Sequence, residues 1–208
     1  MKKKLCLTIV FMFALVVLGQ AQQFDVAFGV GTTQSTSGSD VSASDIASGT
    51  HTPVNIGGGA YPAVSFDYLF RRHFGVGAQV AWRASQNNYP TIYGIQPFRP
   101  VFWDFNAVYA PSLGLDRRVA PEFSGGIGAE STRYYTPYYN CGSFSGCTNY
   151  NSVNHFMGHV GIGLRLYAAG NFFIRPEAHF YFVNNNQEFS SGFVRRYGAS
   201  IGYTFGER

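Results

Sequence analysis

Charge is what this chain of 208 residues has least of. Asp, Glu, Lys and Arg together make up 12%, against about a quarter in an ordinary water-soluble domain. Lysine does not occur after Lys4, and cysteine is limited to Cys6, Cys141 and Cys147. That is too little for a disulfide-framed miniprotein or a four-ligand zinc site. Beyond the N-terminal segment there is no apolar run of the length a membrane-crossing helix needs. Helical periodicity is nearly absent. The glycine-rich stretch Gly125-Gly126-Ile127-Gly128-Ala129 therefore opens no helix, and with no Lys after it a phosphate loop is excluded. What the chain has instead is Gly, at 25 residues, and aromatics, at 17%.

The first residues read as a secretory signal. Lys2, Lys3 and Lys4 form a basic start, an apolar stretch runs from Leu5 to Leu18, and Gly19 and Ala21 are the small residues of a cleavage site. Domain organisation is thus a signal peptide over 1–21 and one domain over 22–208. Cleavage removes Cys6 and all three lysines. Twelve Arg against eleven Asp and Glu remain, and so balanced a chain carries no argument for nucleic acid as a partner. Cys141 and Cys147, close together in an exported chain, point to a local disulfide; two free thiols are the alternative.

Period-2 alternation recurs along the rest of the chain and predicts eight strands, at 23–31, 58–69, 74–83, 99–110, 119–130, 155–168, 172–184 and 194–205. In each, one face is aliphatic and aromatic. Val76, Val80 and Trp82 alternate with Gly75, Gly77 and Gln79, and Trp103 and Phe105 with Asp104 and Asn106. Connections at 70–73, 111–118 and 168–171 are short. Those at 32–57, 84–98, 131–154 and 184–191 are longer and rich in Ser, Thr, Asn and Tyr. A bilayer-spanning barrel has this asymmetry of short turns and long loops. Aromatics near both ends of the apolar face would form girdles around an aliphatic band. The predicted fold class is all-β, an eight-stranded antiparallel up-and-down transmembrane barrel. Pro62, Pro100, Pro121 and Pro176 fall inside proposed strands, where each removes a ladder donor.

The segment 172–184, with Arg175, Glu177 and His179 at every second position, poses the question of catalysis. The same phase puts Asp67, Asp104, Glu122 and Arg165 on the inward face with Arg175 and Glu177. Ions held together inside a narrow barrel must pair, so these six predict a lumen charge network; a gate for small ions that exchanges partners is the functional alternative. His155, His159 and His179 fall nearer the outer mouth, and the pattern pairs no serine with them. No catalytic, metal or cofactor site is expected. Tyr134, Tyr135, Tyr138, Tyr139 and Tyr150 surround the two cysteines in the third long connection and are candidates for surface contact.

The signal, the eight alternating strands, the alternation of turns and loops, and the last strand Tyr197-Gly-Ala-Ser-Ile-Gly-Tyr-Thr-Phe205 resemble the outer membrane β-barrel domain family, the group of small OmpA-, OmpX- and opacity-type barrels. The resemblance covers the whole mature chain. It differs in placing Gly206-Glu207-Arg208 after the final aromatic, which in the family is often terminal. It implies residence in the outer membrane of a Gram-negative-type bacterium, with termini in the periplasm. The implied partners are outer-membrane lipid and lipopolysaccharide, the barrel-assembly machinery, and an extracellular ligand or host surface. The implied function is non-enzymatic, in envelope integrity, surface interaction or adhesion. A narrow channel for ions or small solutes and a lipid-modifying enzyme are the competing expectations.

Overall fold

The structure is a computed structural model that describes residues 23–35, 44–45, 50–51, 56–91, 94–113, 118–142, 146–184 and 192–206. The expected signal peptide and its cleavage site lie outside the described residues.

Eight long strands build the domain: β1 (Gln23–Ser35), β2 (Ala60–Leu69), β3 (Phe74–Trp82), β4 (Gly94–Tyr109), β5 (Val119–Gly142), β6 (Gly146–Ala169), β7 (Phe172–Val183) and β8 (Phe193–Phe205). Each pairs antiparallel with its neighbours in sequence, and β1 closes on β8, with Phe24 opposite Phe205. Closure leaves no unpaired edge around the wall, which is the condition for a sheet to sit in hydrocarbon.

Side chains alternate across this wall as the period-2 pattern requires. Phe28, Phe105, Ile127, Phe156 and Ile201 point outward, from 60% exposed at Ile127 to 65% at Ile201. Their neighbours Ala27, Asp104, Asn106, His155 and Ser200 are buried inside. Water would oppose so continuous an apolar exterior; lipid solvates it. Ring pairs gather toward the short-turn rim, where Phe74 meets Tyr109 at 4.7 Å and Tyr203 meets both Phe172 (4.8 Å) and Phe205 (4.7 Å).

The prolines sit where the ladder can spare them. Pro62 pairs with Val30 of β1, but the β2–β3 ladder stops at Ala63. Pro100 faces Thr132 of β5 just past the last β3–β4 pair. Pro121 pairs with Leu164 of β6, beyond the end of the β4–β5 ladder. Pro176 is laddered to Ala199 of β8, while the β6–β7 ladder is interrupted at Arg175 and Pro176. Pro62, Pro100 and Pro121 thus sit at or past the end of a ladder on one side, while Pro176 interrupts the β6–β7 ladder between Ile174 and Glu177. Between β6 and β7, Gly170 takes φ +53°, which closes the short turn at no steric cost.

Three of the expected connections contain strand: within 32–57, Ser44–Asp45 pairs with Thr50–His51. The stretch 131–154 is not a loop: β5 and β6 run on through it as one hairpin that rises past the barrel. Pairing with β4 ends at Tyr134, and pairing with β7 ends at Met157. The arm beyond is roughly 25 Å long at the usual rise per residue. Its Thr, Tyr and Val favour a strand, but neither of its faces is apolar, so no hydrophobic alternation announces it. Within 84–98, a short strand Asn87–Thr91 pairs with the start of β4.

Candidate functional site: a filled lumen and a projecting arm

At the floor of the lumen, near the short turns, Phe173 packs on Tyr167 at 5.6 Å and lies 5.5 Å below the guanidinium of Arg165. Gly202 makes room for it: a Cβ there would run into the Phe173 ring.

Above this floor stands a lattice of three arginines and four carboxylates. Arg165 is fully buried. It donates from Nε to Glu122, from Nη1 to Asp25, and from Nη2 to Asp67 at 3.1 Å. Arg175 donates to Asp67 (3.2 Å) and to Glu122 (2.9 and 3.0 Å). It also reaches Glu177 at 3.0 Å and the hydroxyls of Ser65 (2.7 Å) and Ser200 (3.2 Å). Arg196 donates to Glu177; with the Gln79 amide oxygen turned toward it, that oxygen accepts at 2.7 and 2.9 Å. Strands β1, β2, β3, β5, β6, β7 and β8 all contribute, so the ion pairs tie the barrel across its bore. Charges this deep persist only with partners on nearly every N–H and lone pair.

Of the six residues proposed as a lumen network, Asp67, Glu122, Arg165, Arg175 and Glu177 meet in this lattice. Asp104 does not. It accepts from Asn106 and lies 3.4 Å from Nδ1 of His159, in the layer above. The strands are tilted in a closed barrel, so equal distance from a turn does not mean equal height. Two further residues complete the lattice that the sequence reading does not include. Asp25 sits between Phe24 and Val26 on the inward phase of β1, and that phase is its signal. Arg196 is phased inward too, but its spacing does not tie it to the carboxylates.

In the next layer His159 bonds Asn106 (2.7 Å) and His179 (2.9 Å), and His179 lies 3.5 Å from Glu177. Ser124 adjoins the pair across Gly161, where a Cβ would come within 3.0 Å of His179 Nδ1. The period-2 pattern phases Ser124 inward but does not pair it with these histidines. These histidines lie on the outer-mouth side of the arginines, beneath a further layer of side chains. Tyr181 stacks on His159 at 5.0 Å and on Phe102 at 4.8 Å. Ile56, Tyr61, Phe98, Tyr134, Met157, Val183 and Val194 complete an apolar plug. The Ile56 carbonyl accepts from Thr33 and from Tyr61, both at 3.0 Å, and Gly58 N donates to the Thr33 carbonyl at 2.8 Å. The chain entering β2 is thereby folded into the mouth. No group of three or more His, Cys, Asp or Glu among the described residues could hold a metal ion.

Outside the barrel, Cys141 and Cys147 face each other across the arm's tip and form a disulfide. Between Tyr135 and Asn140 the register shifts, and the Thr136 hydroxyl holds the bulge by donating to the Tyr138 carbonyl at 2.8 Å. Tyr138 and Tyr139 are thrown out, 78% and 70% exposed. Tyr135 and Tyr150 pack together at 5.9 Å and are half-buried. Tyr134 corrects the expectation of a contact surface: it is buried, packed on Phe98 at 6.4 Å. Its even position puts it on the inward face, as the strand's extension dictates.

A closed eight-stranded barrel with an apolar exterior and an ion-paired bore has the fold of the small outer-membrane barrels. Among solved structures the chain is similar to a major outer membrane protein of Thermus thermophilus, at 13% identity and a TM-score of 0.54, over 89% of this chain and 100% of that one. It is also similar to neisserial surface protein A, at 11% identity and TM-score 0.53 over 90% and 98%, and to OprG of Pseudomonas aeruginosa, at 13% and 0.51 over 90% and 97%. No protein-family model matches the sequence, and no curated protein does.

Proposed function

We propose that the chain is a non-enzymatic outer-membrane barrel, with both termini in the periplasm, that holds the β5–β6 arm outside the cell as a recognition element. The observation that carries this reading is the contrast between bore and arm. The bore is filled from Phe173 to Tyr61 by bonded side chains, which supports neither a conduit nor access of a substrate to His159 and His179. The arm is the feature that reaches past the membrane. Both ends of the barrel wall, Gln23 and Phe205, lie at the opposite, short-turn rim.

The arm's two edges differ. That of β5 carries the bulge and Pro137, devices that blunt an edge against pairing. That of β6, Gly146–Asn154, carries no proline and no charge. An open edge of this kind takes a further strand from a partner, and Tyr138 and Tyr139 add rigid contact area beside it.

A peptide tag placed after Gly142 is expected to be labelled on intact cells, and planar-bilayer recordings of the purified protein should show no unitary steps. A tag reached only after the outer membrane is broken, or reproducible unit conductance, would sink the reading.

A further inference from the structure

Several arginines take no part in the lumen, and two of them stand side by side on the wall. Arg99 and Arg133 lie on the outward face, and the register sets them directly opposite each other, with Ser152 of β6 next in the row. Like charges opposed on neighbouring strands repel. The arginine ion pairs among the described residues are those of Arg165, Arg175 and Arg196, so no carboxylate there neutralises this pair. The Nε of Arg99 is buried with no partner, and its Nη2 reaches only the Ala84 carbonyl, at 3.4 Å. Segment 131–154 contains no Asp or Glu.

The surroundings hold the two guanidinium groups in place. Arg133 lies over the Tyr150 ring at 4.9 Å, and Arg99 over Tyr135 at 5.8 Å. A ring against its flat face steadies a guanidinium and leaves the N–H edge free. Ser131 stands one outward position below Arg133. Lower still is the level of Trp103, Ala129 and Phe156. Trp103 marks an interfacial girdle. Four residues of a tilted strand separate it from Arg99, about 10 Å of height. That is the depth of polar headgroups.

We infer that Arg99 and Arg133 form a clamp for the phosphate of a lipopolysaccharide headgroup, with the Ser131 and Ser152 hydroxyls beside it. Two guanidinium forks on adjacent strands match the geometry of phosphate oxygens, and a bound phosphate removes the repulsion between them. The inference rests on the reading that the arm faces outward, since phosphorylated glycolipid occupies the outer leaflet.

Native mass spectrometry of the detergent-purified protein titrated with lipid A tests it. Bisphosphorylated lipid A should bind at least roughly tenfold more tightly than its dephosphorylated form. The double variant Arg99→Gln, Arg133→Gln should lose that preference, and Arg195→Gln, an outward arginine on β8, should keep it. Unboiled gel mobility checks that each variant is folded. Equal binding of lipid A by the double variant and the wild type would overturn the clamp. So would a preference for phosphatidylglycerol over lipid A. The tag experiment above is independent: a tag labelled outside with no Arg-dependent binding removes the clamp alone, and a protected tag removes the outward arm.

Discussion

Arg165 is the side chain on which most others depend. It satisfies Asp25, Asp67 and Glu122 at once, deep inside the wall. Arg165→Met keeps much of the volume but leaves Asp25 without an arginine and Asp67 and Glu122 with Arg175 alone, and breaking such a buried set costs about 3–5 kcal/mol. The midpoint for urea unfolding in phosphatidylcholine vesicles should fall accordingly; an unchanged midpoint would contradict the lattice. Tyr139→Ala, by contrast, removes an exposed ring and should leave the unfolding free energy within about 0.5 kcal/mol of the wild type. At this scale the face each charge takes was legible. Arg175 and Glu177 alternate with Ile174 and Phe180, and one pleat sends the two sets opposite ways. Which charges meet was not legible, because partners such as Asp25 and Arg165 lie 140 residues apart and barrel tilt sets their heights.

The arm is the element whose behaviour can be separated from the rest. The disulfide Cys141–Cys147 ties only the arm's tip, which lies beyond the ladders of β4 and β7. Replacing both cysteines by serine should leave the unfolding of the barrel unchanged. In that variant amide exchange should quicken at Asn140 and Thr148, and stay slow below the Tyr135–Tyr150 pair. The register shift separates the tip from that pair, so fraying has a natural stop there. If the whole of β5 and β6 loosened instead, the disulfide would be supporting the wall. The continuation of β5 and β6 past the rim escaped a reading based on hydrophobic alternation. Past the barrel rim neither face packs on the core, so nothing requires the alternation to persist.

For the molecule as a whole, closure makes unfolding cooperative. No strand can leave without breaking two ladders, and β1 and β8, the chain's first and last long strands, are each other's neighbours. Unboiled protein in detergent should therefore migrate differently from boiled protein on a denaturing gel, with a single sharp temperature of conversion. A gradual shift over many degrees would show that the barrel is not closed. Removing the plug residues Phe102 and Tyr181 together should still give no conductance, because the arginine lattice beneath them spans the bore. Unit steps in that variant would place the barrier in the aromatic layer alone.

By itself the sequence determined the strand count, the inside and outside of each strand, and the kind of solvent each face requires. All three follow from the period of two that a pleated backbone imposes on any run of residues. Only the tertiary structure decided that Asp104 makes its direct contacts with Asn106 and His159, that Tyr134 is buried, and that Arg99 stands beside Arg133. Those depend on register and tilt, which arise when the sheet closes on itself and which no single strand encodes.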